Sequence, residues 1–139
     1  MLLPDINVWI ALAFRSHRHH SEANSWWSAI GHVPVAFCRA TQQGFLRLAN
    51  NPKALADAVR ADRAWQLYDT LLSESRVQFV EEPSGLEATW RTFTCGRDFS
   101  PKLWNGAYLA AFALLTGYEI VTFDRGFAQF THVKSTILA

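Results

Sequence analysis

The chain has 139 residues, half of them hydrophobic, and a formal net charge of +1. That length suits one domain able to bury a real core, and the charge balance excludes a global basic field, so any nucleic-acid contact must come from a local patch or a metal site. Cys38 and Cys95 are far apart and outside any CxxC spacing, which reads as free thiols of a reducing compartment. The start of the chain lacks the basic region and long apolar core of a secretion signal, and the apolar run from Leu109 to Leu115 is too short to span a bilayer. A cytoplasmic protein is expected.

Leu2-Leu3-Pro4 is a short apolar run that reaches Asp5, and a helical apolar pattern begins at once with Val8, Ile10, Ala11, Leu12 and Phe14. This predicts a buried strand whose carboxyl end carries Asp5, then a helix that the Asp5 carboxylate can cap. The connection from Arg15 to Glu22 leads into a second helix, marked by Ala23, Trp26, Trp27 and Ile30 and ended by Gly31. Its three His and two Arg lack the spacing of a closed zinc site. They read as a solvated helix start, with RNA contact as the alternative.

Val33 to Phe37 reads as a second strand, its proline suiting a strand start or an edge. Arg39 to Leu48 follows as a helix that ends near Asn50-Asn51-Pro52. Gln42 falls in its first turns, close to the strand end before it, and Gly44 inside it implies close packing on a neighbour or, failing that, local mobility. Residues 53 to 74 read as one charge-decorated amphipathic helix. Val77 to Val80 is a third strand, closed by a solvated turn at Glu81-Glu82-Pro83. Ser84 is expected to cap a helix through Trp90 and Phe93 to Gly96.

Ser100-Pro101 predicts the N-cap and first position of a helix that runs to Gly117. Gly106 is out of place within it, because a mid-helix glycine costs about 1 kcal/mol relative to alanine. Ile120 to Thr122 forms a fourth strand reaching Asp124, and Thr131 to Lys134 is expected as an edge strand. Strands alternating with helices predict an α/β chain with a mostly parallel central β-sheet flanked by α-helices.

Asp5 and Asp124 therefore end strands of one parallel sheet, in the crevice where such sheets bind ligands. Two nearby carboxylates raise each other's pKa unless a cation lies between them. A hard ion such as magnesium or manganese suits them. The chain has no glycine-rich phosphate loop and no nucleophile elbow, so metal-assisted phosphodiester hydrolysis is the chemistry expected. Asn7 and Thr122 are candidates for positioning, or equally for helix-cap support and strand packing. Arg125 is a candidate RNA contact, or equally the partner of a surface acid, and Arg47 is a candidate RNA contact in a local basic rim with Arg15, His17 and Arg18. A phosphoacceptor receiver domain is disfavoured, because the adjacent acid pair after the first strand and the late lysine are missing.

Five segments occur in order: Leu3 to Val8, His17 to His20 with Trp26-Trp27, Thr41 to Leu48, Leu103 to Ala111, and Thr122 to Phe127. In that order and at this length the chain resembles the PIN-domain nucleases, and within them the VapC toxins of bacterial toxin–antitoxin pairs. The resemblance covers nearly the whole chain as one PIN-like domain, residues 1–139. It implies a magnesium- or manganese-dependent endoribonuclease acting on RNA, a cognate VapB-type antitoxin and a homodimer. The family's first acid falls on Asp5 and its strand-end acid on Asp124. The second acid, in a Thr-Glu-x-Gly pattern, falls on Gln42. The third, in a Trp-Asn-Asp-Ala-Tyr pattern, falls on Gly106, where the metal ligand is lost entirely. The resemblance thus implies a catalytic set of Asp5, Gln42, Gly106 and Asp124 and metal positions at Asp5, Gly106 and Asp124, with the nuclease impaired at Gly106. The alternative is a PIN-like binding module that acts through its antitoxin or RNA without cleavage.

Overall fold

The computed structural model describes residues 1–98 and 100–139. Five strands, β1 (Leu2–Pro4), β2 (Val35–Phe37), β3 (Val77–Phe79), β4 (Glu119–Thr122) and β5 (Ser135–Ile137), form one sheet in the order β3-β2-β1-β4-β5. Every pairing is parallel. The helices are α1 (Ile6–Ala13), α2 (His20–Ala29), α3 (Arg39–Ala49), α4 (Ala61–Ser73), α5 (Leu86–Thr94) and α6 (Leu103–Thr116), and a 3-10 turn spans Arg125–Gln129. Chain order turns to one side of β1 with β2 and β3 and to the other with β4 and β5, so the switch point lies between β1 and β4.

The central strands β1 and β2 are apolar because the sheet is covered on both faces there. Val35 and Phe37 join a cluster with Trp9, Phe45 and Tyr68 on the side of α1, α3 and α4. Ala36, between them, points the other way and joins Leu3, Ile120 and Phe112 on the side of α5 and α6. On the first face the Trp9 and Phe37 rings stack at 3.8 Å, both fully buried. On the second, Ala107, Ala110, Ala111 and Ala113 let α6 lie close to the sheet. Gly44 of α3 faces Ile6, and a Cβ there would fall 2.0 Å from the Ile6 Cδ1. The glycine allows α3 to approach the start of α1.

Four expected boundaries differ. Residues 53 to 60 are turns, and α4 starts at Ala61. Here Asn51 Oδ1 accepts the Lys53 N–H at 3.0 Å, Asn50 Nδ2 donates to the Val59 carbonyl at 2.7 Å, and Val59 N–H donates to the Ala49 carbonyl at 2.8 Å. Asparagine side chains offer the backbone an alternative to helix, and Pro52 has no N–H to give. Gly85, at φ +81°, takes the cap position expected of Ser84, in a left-handed conformation open to glycine. Pro101 lies in a turn, closed by the Leu103 N–H on the Ser100 carbonyl at 3.1 Å, so α6 begins two residues later than the Ser-Pro pair suggests. The edge strand is Ser135–Ile137 rather than Thr131 to Lys134, because Val133 N–H turns back to the Phe130 carbonyl at 3.1 Å and pairing with β4 opens only at the Lys134 carbonyl. Pro34 directly precedes β2, which is interior to the sheet. Among the described residues Cys38 and Cys95 are free, and no helix is long and apolar enough to cross a membrane.

Candidate active site

Asp5 directly follows β1 and caps α1. Its Oδ1 accepts the Ile6 N–H at 2.7 Å, and its Oδ2 accepts the Thr122 hydroxyl at 2.9 Å. Thr122 ends β4 and is fully buried. Its Oγ1 also accepts the Asp124 N–H at 3.0 Å and the Asn7 Nδ2 at 3.3 Å. A hydroxyl has one proton and two lone pairs, so this one is saturated. Asn7 closes the network, its Oδ1 accepting the Phe123 N–H at 3.3 Å. Asn7 and Thr122 thus tie the end of β4 to the end of β1. Asp124 is exposed and caps the 3-10 turn through the Gly126 N–H at 2.8 Å.

Burial pushes the Asp5 carboxyl above its usual range, the hydrogen bonds from Thr122 and Ile6 pull against this, and the Asp124 charge adds to the upward push. A carboxyl whose folded pKa is raised stabilises the fold fully below its unfolded pKa, and that contribution is lost as pH rises through the folded pKa. Asp5→Asn in metal-free buffer is therefore expected to raise the Tm at pH 7. The gain should shrink as pH falls toward about 4, where the ordinary carboxyl protonates. Melting curves of the two proteins across pH 4 to 8 in EDTA check this, and equal Tm values throughout would refute it.

A cavity of about 460 Å³ opens over these groups, walled by Asp5, Asn7, Arg18, His19, Lys102 and Asp124, among others. A second, of about 400 Å³, shares Lys102, Gly106, Asp124 and Phe127 with it and extends toward Arg97 and Gln129. Gly106, near the start of α6, lies where the two meet. A Cβ built on it would meet only the Phe127 Cζ, at 3.8 Å, so the groove has room for a side chain there.

The structure brings Asp5, Asp124 and Gly106 together on this groove. Gln42 is buried in α3, where its Oε1 accepts from Arg39 Nη1 at 2.6 Å beside the Tyr68 hydroxyl, and it is not among the groove's described lining residues. Arg47 and Arg125 are exposed and likewise outside that lining. The cationic walls are instead Arg18 and Lys102. His17 and His19 also face the groove, so the stretch read as a solvated helix start is part of its wall. The sequence signal was the His-Arg cluster itself. Lys102 carried none beyond its place at a helix start.

Among the described residues no three His, Cys, Asp or Glu side chains gather to hold a metal. Two carboxylates and the open cradle above Gly106 suit a hard, largely hydrated divalent cation, one carboxylate short of a fuller ligand set.

Residues 2–133 match the model of the PIN domain family. The chain is 42% identical over 145 aligned positions to Ribonuclease VapC41 of Mycobacterium tuberculosis, covering 100% of this chain and 99% of that one. Its fold is similar to that of Mycobacterium tuberculosis VapC20, a sarcin-ricin loop cleaving toxin, with a TM-score of 0.72, 18% identity and full coverage of both chains. It is also similar to a structure of VapBC2 from Rickettsia felis bound to a DNA fragment from their promoter, with a TM-score of 0.71, 10% identity and coverage of 99% and 98%.

Proposed function

The chain belongs to the PIN domain family, and from that premise we propose that it is a VapC-type toxin that cleaves RNA internally, uses magnesium or manganese, and is neutralised by a VapB-type antitoxin. The observation that carries the reading is the pair of strand-end acids, the Asp5 carboxylate and the Asp124 backbone N–H both bonded to one buried hydroxyl, in a chain similar end to end to a ribonuclease. A homodimer and neutralisation by the partner rest on likeness to VapC and VapBC proteins.

Each residue's task follows from its surroundings. Two carboxylates repel a phosphodiester, so the groove accepts RNA only with a cation between them. Asp5 and Asp124 would hold that cation. A divalent ion supplies Lewis acidity at neutral pH, which activates water and offsets the charge of the transferring phosphoryl group. Thr122 and Asn7 keep Asp5 and the Asp124 backbone in fixed relation. Arg18 and Lys102 draw the RNA backbone to the rim.

Antitoxin-free protein incubated with structured RNA is expected to make internal cuts that need magnesium or manganese and stop in EDTA. The absence of cuts from this chain and from a Gly106→Asp variant would overturn the reading. Gly106 favours a second one, a module that binds RNA or its antitoxin without cleavage, because the position that a carboxylate would occupy is empty. RNA or antitoxin binding with no metal affinity in either protein would establish it.

A further inference from the structure

The acids and the rim cations account for the phosphate side of the groove and leave its aromatic wall without a task. His19 and Phe123 lie flat on each other there, ring centroids 4.4 Å apart and planes 13° from parallel. Both rings line the cavity that Asp5 and Asp124 share. Resting on the reading of the site as an RNA nuclease, we infer that the His17–His19 turn and Phe123 form a platform for one unpaired nucleobase beside the scissile phosphate, and that this platform contributes to the choice of cleavage site.

The platform is built, not incidental. His19 N–H donates to His17 Nδ1 at 3.1 Å, and His20 N–H to the His17 carbonyl at 2.9 Å. His20 Nδ1 pairs with the Ala11 carbonyl at 2.8 Å, which pins the start of α2 to α1. Phe123 is held through its N–H by Asn7, the residue that also reaches Thr122. Thr122, Phe123 and Asp124 are consecutive: the first aims Asp5, the second carries the stack, and the third is the other acid. A base resting on the stack is therefore set at a fixed offset from the carboxylates. Unpaired bases stack on Phe and His in sequence-dependent RNA recognition. His17 adds a polar edge. Its Nδ1 accepts from His19, which places the ring proton on Nε2 as a donor. Burial, and then the neighbouring His19, Arg18 and His20, push its pKa down, which favours the neutral ring.

The test is the affinity of short fluorescein-labelled single-stranded RNAs in magnesium buffer, by anisotropy, with intactness checked on a gel. Each is compared with its analogues abasic at one position. His19→Ala is expected to bind roughly five- to a hundredfold more weakly, the range for losing one stacked base. It should show no further loss when the stacked base is absent, and His19→Phe should bind like the parent. In a Gly106→Asp background, His19→Ala should also alter the pattern of cut sites, while His19→Phe restores stacking. Equal affinity of parent and His19→Ala, or an equal abasic penalty in both, overturns the platform while leaving nuclease activity in place. If neither the parent nor Gly106→Asp binds or cuts RNA, the nuclease reading and the platform fall together.

Discussion

Gly106→Asp is expected to bind manganese at least about ten- to a hundredfold more tightly than the parent chain and to cleave RNA faster by a comparable factor. Changing a group that only supports a metal ligand typically costs that much, so restoring a ligand should return no less. No atom of the fold stands in the way of the change. Gly106 lies in the regular helix α6 with no positive φ, and the added Cβ would meet only Phe127 at ordinary contact distance. Aspartate suits the first turn of a helix, where exposed N–H groups favour negative charge. The third carboxylate would share a groove with Asp5 and Asp124, so repulsion should make the variant less stable than the parent in EDTA and more stable with manganese. Calorimetric titration with manganese, melting curves with and without the ion, and RNA cleavage read these effects. Gly106→Asn has similar bulk without charge and should gain none of them. Equal affinity of Gly106→Asp and the parent would mean that two carboxylates suffice and that position 106 is not a missing ligand.

Thr122→Val should cost about 1–3 kcal/mol of stability and lower manganese affinity and cleavage roughly ten- to a hundredfold, measured in a Gly106→Asp background. Valine matches threonine in shape, so the core is not emptied, but the hydroxyl shared by Asp5, Asp124 and Asn7 disappears. One Asp5 oxygen loses its donor and the Asp124 N–H its acceptor, both in part-buried bonds. Groups stranded where water reaches them only in part bear part of the desolvation penalty. Thr122→Ser keeps the hydroxyl and should recover most of the metal affinity, while a small cavity lowers its stability. Urea denaturation and manganese titration of the three proteins separate the two effects. A valine variant with parental affinity would show that Asp5 is aimed by the helix cap alone.

The two acids were legible because each follows a short apolar run, and the end of a parallel strand is where ligand-binding groups collect. Their closeness was legible as well, since a β-α alternation leaves few ways to order a parallel sheet. The groove's walls were legible only in part, with His17 and Arg18 standing in the expected basic rim. His17, Arg18, His19 and Lys102 lie in turns before α2 and α6, and no local pattern tells which turn folds over a strand end. Gln42 shows the converse. Its position in the first turns of α3 was read correctly, but its side-chain partners, Arg39 and Tyr68, depend on how α3 meets α4. The segment 53–60 failed for a different reason. Its composition is helical, while Asn50 and Asn51 supply local bonds and Pro52 lacks an N–H, so no helix starts there.

The bond between Asp5 and Thr122 joins residues 117 positions apart, and β1 and β4 are neighbours although one opens the chain and the other nearly closes it. A polypeptide emerging from the ribosome can pair β1 with β2 early, but it has no second acid, no threonine to aim the first and no Phe123 until its last segment is out. The candidate site is therefore assembled late in folding, by the long-range docking of β4 beside β1 and not by any local stretch.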